Sequence, residues 1–113
     1  MDLDRARELL QREHARLDGA LEDLRRRESD EDPDPFEQSD AGADLFEAEL
    51  GEGLAERLTE ELEAVERAER RLAEGTYGLS VESGQPIPDG RLEIIPWAER
   101  TAEEQARYEQ LGR

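Results

Sequence analysis

Four leucines, Leu3, Leu10, Leu17 and Leu24, recur at strict intervals of seven. A seven-residue repeat keeps one narrow stripe turned toward a partner helix, so it specifies a coiled-coil seam rather than the face of an ordinary surface helix. Ala6, His14, Ala20 and Leu21 fall near the second seam position. The pattern predicts a helix over residues 3–28, about 40 Å long at 1.5 Å per residue. Asp2 suits its N-cap and Asp4 its first turn. Gly19 weakens the helix by about 1 kcal/mol relative to alanine. His14, the only histidine, is read as a seam-edge residue and not as a ligand.

A second stripe runs through Leu54, Leu58, Leu62, Val65, Ala68 and Leu72 at spacings of three and four. It predicts a helix from about residue 44, or from 40, through 74. Asp44 with Glu47 offers a capping box at the nearer start, and Gly75 is suited to the C-cap. Neither stripe is satisfied on a single helix in water. Two such helices joined by about fifteen residues fold back on each other as an antiparallel hairpin. A bundle of several chains is the competing arrangement, but the tethered stripe is the nearer partner.

The connection, residues 29–43, contains Pro33, Pro35 and Gly42 among acids. Prolines end any helix before them. Every charged residue between Arg27 and Arg57 is acidic. The whole chain of 113 residues has 32 acidic and 15 basic residues, for a formal net charge of −17. Such a field repels a nucleic-acid duplex, so no direct specific nucleic-acid binding is expected. No apolar run is long enough to cross a bilayer. The acidic, periodic start is unlike a signal peptide, and a cytoplasmic location is expected.

Beyond Gly75 the character changes. Gly78, Gly84 and Pro88-Asp89-Gly90 are turn signals. A short β-hairpin is expected, followed by a helical turn or strand over residues 91–95 that Pro96 ends. Tyr77, Ile87, Leu92, Ile94, Ile95 and Trp97 would form a small core. A last helix is expected over residues 102–111. Thr101 followed by Glu104 fits a capping box, in which each side chain bonds the other residue's backbone N–H. Ser80 and Ser83 can close a turn through side-chain to backbone bonds.

The spacing of Ser80, Ser83, Thr101 and Glu104 is that of two CxxC pairs, yet the chain has no cysteine. The surrounding residues are Glu74-Gly75-Thr76-Tyr77-Gly78, Gly84, Ile87-Pro88, Arg91-Leu92-Glu93, Pro96, Ala98 and Gln105. In order and spacing this stretch resembles the zinc finger of the DksA/TraR family, bacterial regulators that bind RNA polymerase. The resemblance implies a mostly α fold: a long antiparallel coiled-coil hairpin over residues 1–74, then a small zinc-ribbon-like domain with a C-terminal helix over residues 75–113. Here that domain lacks its metal ligands, and no cofactor is expected. Arg91 is read as a structural hydrogen-bonding or stacking residue.

The family carries an acidic motif at the hairpin tip, which enters the polymerase secondary channel and approaches the catalytic magnesium. The tip here falls at about residues 29–43, and the matching positions are Glu37, Asp40 and Gly42. The first acid is longer than the family's, the second is kept and the alanine is replaced by glycine. The resemblance therefore implies a polymerase-binding regulator with no catalytic activity and no membrane partner. It is expected to be monomeric, with a dimer through the coiled-coil face as the alternative. A divergent relative that binds another basic surface is the competing reading. No nucleophile–base set, phosphate-binding loop or paired metal-ligand motif points to an enzyme.

Overall fold

A computed structural model of the chain describes the backbone of residues 1–30 and 41–111, and the side chains of residues 1–27 and 53–111. Four helices follow one another: α1 Leu3–Asp30, α2 Ala41–Glu74, α3 Asp89–Ile94 and α4 Ala102–Gln110. Helices α1 and α2 pack along each other as the expected hairpin.

The seam follows the two stripes. Leu10, Leu17, Val65 and Ala68 are at most 1% exposed, with Leu58, Leu62 and Leu72 packed against them. Burying an aliphatic side chain of this size contributes roughly 1.5–3 kcal/mol. At the start of α1 the buried positions are Ala6, Leu9 and Leu10, whereas Leu3 is exposed. Leu54 is also exposed, so the packed part of the second stripe begins at Leu58. Asp2 Oδ1 accepts from the Asp4 N–H at 3.1 Å, which satisfies a donor that the first turn leaves free.

The first helix runs two residues past its expected end, and the second starts close to the earlier of its two expected starts. The first extends to Asp30, short of the residue before Pro33 where an α conformation becomes unfavourable. The second begins at Ala41, so Asp44 and Glu47 lie inside the helix and do not cap it. No proline occurs between Ala41 and Glu74 to oppose this extension. The helix stops at Gly75, whose φ of +83° is open to glycine at little cost. The Thr76 N–H then reaches back to the Arg71 carbonyl at 2.9 Å, closing the helix end.

Residues 75–111 form a small second cluster. Ile87, Leu92 and Ala98 are buried, with Met1, Tyr77 and Ile95 packed on them. Tyr77 also packs on the hairpin cluster, as does Trp97. Ile94 departs from expectation: it is 79% exposed. It stands two residues from buried Leu92, which on a helix places it on nearly the opposite side. The expected hairpin is reduced to an isolated antiparallel bridge, Leu79 with Pro86, and no sheet forms among the described residues. Residues 91–94 belong to a helix, not a strand.

Candidate functional site

Ser80, Ser83, Thr101 and Glu104 come together although the two pairs are separated by a turn, α3 and an irregular stretch. The serine turn is set by backbone bonds: Ser80 N–H to Gln85 O at 2.8 Å, Gly84 N–H to Ser80 O at 3.0 Å, and Ile87 N–H to Gly78 O at 2.7 Å. Gly78 and Gly84 have φ values of +86° and +75°, so the chain reverses where a side chain would strain it. Ser80 is 5% exposed. Its Oγ accepts from the N–H groups of Glu82 at 3.1 Å and Ser83 at 3.2 Å. Ser83 Oγ accepts from the Gln85 N–H at 3.2 Å.

Thr101 caps α4. Its Oγ1 accepts from the Glu104 N–H at 3.2 Å, and Glu104 Oε1 accepts from the Thr101 N–H at 2.9 Å. This is the complete capping box that the T-x-x-E pattern predicts. Glu104 is 7% exposed, so its charge must be satisfied from within. Besides the Thr101 backbone, the Ser83 and Ser80 hydroxyls favour its charged form. These groups, the Thr101 backbone N–H foremost, hold the carboxyl at about 2, well below its ordinary 4.5. The result is one carboxylate ringed by hydroxyl and amide donors.

A second set of contacts ties this cluster to the hairpin. In the stretch between α3 and α4, Glu99 Oε1 lies 2.8 Å from Arg67 Nη2, and both its oxygens lie 3.3 Å from Arg67 Nε. Glu99 Oε2 is 3.6 Å from Arg71 Nη1. Arg71 is largely buried, and its Nη2 has no hydrogen-bond partner. Burial pulls this guanidinium below its ordinary pKa, while Glu99 pulls it back. The Tyr77 hydroxyl donates to the Pro96 carbonyl at 2.8 Å, and burial raises that phenol to about 12.

Arg91 Nε donates to the Arg100 carbonyl at 3.0 Å, the structural role read for it from sequence. The Arg100 guanidinium lies 3.8 Å from the centroid of the Tyr108 ring. Its Nε is 3.3 Å from Glu82 Oε2, an ion pair without hydrogen-bond alignment. An open cleft between α2 and α4 is lined by Arg67, Trp97, Glu99, Arg100 and Tyr108. Of the arginines facing it, Arg67 is paired with Glu99 and Arg100 with Glu82.

On the hairpin itself, His14 sits at the seam edge. Its Nδ1 is 2.8 Å from Glu69 Oε1 on α2, and its Nε2 is 3.3 Å from Asp18 Oδ2 on α1. The bond to Glu69 and the surrounding carboxylates outweigh burial and raise the imidazole pKa. Of the three tip positions, Glu37 and Asp40 lie outside the described residues. Gly42 lies in the first turn of α2, beyond the described side chains.

The finger portion, residues 75–110, matches the family model described as the prokaryotic dksA/traR C4-type zinc finger. The chain is 38% identical over 77 residues to general stress protein 16O of Bacillus subtilis, an overlap of 60% of this chain and 47% of that one. It is 41% identical over 49 residues to the RNA polymerase-binding transcription factor DksA of Caulobacter vibrioides, covering 43% of this chain and 34% of the relative. The chain thus spans about half the length, or less, of the curated relatives it matches. The solved structure of transcription factor DksA2 from Pseudomonas aeruginosa superposes with a TM-score of 0.82 at 30% identity, over 97% of this chain and 84% of that one. The chain belongs to the DksA/TraR family.

The C4 finger of the DksA/TraR family implies zinc, and the residues here do not fit it. Zinc in a structural site takes four thiolate or imidazole ligands in a tetrahedron. The chain has no cysteine, and its one histidine lies in the hairpin seam. The three hydroxyls and one carboxylate of the cluster are spent on one another and on backbone amides. Among the described residues no other His, Cys, Asp and Glu grouping could hold a metal ion.

Glu99 is the member of this region that the sequence reading passes over. Arg67 and Arg71, four apart on one face of α2, were the available signal. Their partner lies 32 residues from Arg67, beyond the reach of any local pattern.

Proposed function

We propose that this chain is a transcription regulator that acts by binding RNA polymerase, with no chemistry of its own. The observation that carries the reading is the match in shape along nearly the whole chain to a protein described as a transcription factor. A relative named as an RNA polymerase-binding factor adds the partner. In this reading residues 1–74 are the probe. The acidic end of the hairpin enters the polymerase secondary channel, with Asp40 as the principal contact and Glu37 as the second. Gly42 gives the tip more backbone freedom than alanine would. The work is then done in the cytoplasm, where the polymerase is.

Residues 75–113 act as the base of the probe. We read them as a zinc-ribbon-like domain whose four ligand positions, Ser80, Ser83, Thr101 and Glu104, have become a structural hydrogen-bond cluster. The alternative, self-association through the coiled-coil face, is disfavoured because Leu10, Leu17, Val65 and Ala68 are already buried within one chain. No helix among the described residues is long and apolar enough to cross a membrane.

Co-purification with core RNA polymerase and transcription from a purified template test the reading. Wild type should bind and change transcript yield. Asp40→Ala should still bind but lose most of the effect, and Glu37→Ala should lose less. No association and no effect of the wild-type protein would overturn it.

A further inference from the structure

We infer that Glu99 is a positioning residue: it fixes the direction in which the hairpin leaves the base, and productive binding depends on that direction. The inference rests on the polymerase reading above. Glu99 holds two parts of the molecule at once. Its carboxylate grips α2 through Arg67 and Arg71, and its carbonyl accepts the Val81 N–H of the serine turn at 2.9 Å. Its neighbours are tied as well, Pro96 O to the Tyr77 hydroxyl and Arg100 O to Arg91 Nε. The stretch between α3 and α4 is therefore a strut between hairpin and base.

The other links across this boundary, among them the Met1 ammonium to the exposed Asp89 carboxylate at 2.8 Å, restrain the angle less. Tyr77 and Trp97 pack against the hairpin cluster, but apolar contact is non-directional and tolerates rotation. Arg5 pairs with Glu93 at 3.2 Å, with both side chains over 40% exposed, so solvent and salt screen it. The Arg67–Glu99 pair is forked, and a forked pair fixes orientation as well as distance. Glu99 is 21% exposed and Arg71 14% exposed, so loss of Glu99 leaves a largely buried cation without its counter-charge.

Leverage makes the angle matter. The far end of α2, at Ala41, lies roughly 40 Å from Arg67 along the helix at 1.5 Å per residue. A swing of about 10° at Arg67 displaces that end by about 7 Å. A probe that must reach a fixed point inside a partner loses effect with far smaller misplacement.

The natural absence of cysteine allows two spin labels to be placed uniquely, through Glu56→Cys on α2 and Arg107→Cys on α4, both exposed. Distances between them are compared in the otherwise wild-type, Glu99→Gln, Glu99→Asp and Arg67→Gln proteins, beside polymerase affinity and far-ultraviolet circular dichroism. Glu99→Gln and Arg67→Gln should broaden the distance distribution and weaken binding about tenfold at unchanged helical content. Glu99→Asp should recover much of both. A narrow, unshifted distribution in Glu99→Gln, or a broadened one with undiminished affinity, would overturn the inference. Failure of the wild-type protein to bind polymerase would remove the functional reading, while the distances would still judge the strut.

Discussion

Thr101 and Glu104 satisfy each other's backbone: the Thr101 N–H donates to Glu104 Oε1 at 2.9 Å, and the Glu104 N–H donates to Thr101 Oγ1 at 3.2 Å. With Ser80 and Ser83 beside it, the pair gathers a buried anion and its donors at one point of the base.

The acid limb of stability should report that anion. Glu104 is held at about 2 in the folded chain against an ordinary 4.5. A depressed carboxyl stabilises above its unfolded pKa, and that contribution is lost as pH falls through the folded value. Thermal melts should therefore show stability falling between about pH 4.5 and 2. Glu104→Gln should lower Tm at neutral pH and flatten this limb. Thr101→Ala should cost about 1 kcal/mol through loss of the cap. Identical acid limbs in wild type and Glu104→Gln would contradict the account.

Metal should be irrelevant to folding. A strong chelator should leave both Tm and helical content unchanged, and added zinc should leave them unchanged as well. A structural zinc contributes on the order of 10 kcal/mol, so a zinc-dependent chain could not conceal its loss. Calorimetric titration with zinc should show no saturable heat.

His14 should make the hairpin more stable in mild acid. Its pKa is raised by Glu69, with Asp18 and Glu66 also facing it. A group whose folded pKa lies above its unfolded value stabilises fully below the unfolded value, here about 6.5. The contribution is lost as pH rises through the folded value. The ring is 34% exposed, and solvent screening limits the effect to under about 1 kcal/mol. Melts between about pH 5.5 and 8.5 should show this decline, and His14→Gln should abolish it. Proton resonances of the ring in the wild type should titrate above the ordinary range.

Gly19 offers a gain. It is exposed within α1, and nothing lies within 4 Å of where a Cβ would stand. Gly19→Ala should stabilise by about 0.5–1 kcal/mol, because alanine has less freedom to lose on entering a helix. A Tm unchanged or lowered in a two-state melt would show that the glycine has another purpose.

Much of this fold was legible because its determinants are local. The heptad leucines announce the seam, since Leu10 and Leu17 recur at the helical period and are buried. Thr101 and Glu104 stand three residues apart, so their mutual cap could be read directly. Ile94 was misread as core because hydropathy does not tell which side of a six-residue helix faces inward. The start of α2 fell at the earlier of two readings, near residue 40, because the cap signal at Asp44 lies inside the helix. The strut at Glu99 was invisible, since its arginines precede it by about thirty residues and only the fold brings them near. The tip acids Glu37 and Asp40 were nominated by resemblance and await the polymerase experiments.

Tyr77 belongs to both apolar clusters, and its hydroxyl is fastened to Pro96. A residue shared in this way makes each half a condition of the other's order. The long hairpin and the small base should therefore melt as one cooperative unit, giving a single calorimetric transition with no separable plateau. For the same reason the base cannot be exchanged as an independent cassette: the hairpin surface on which Tyr77 packs must go with it.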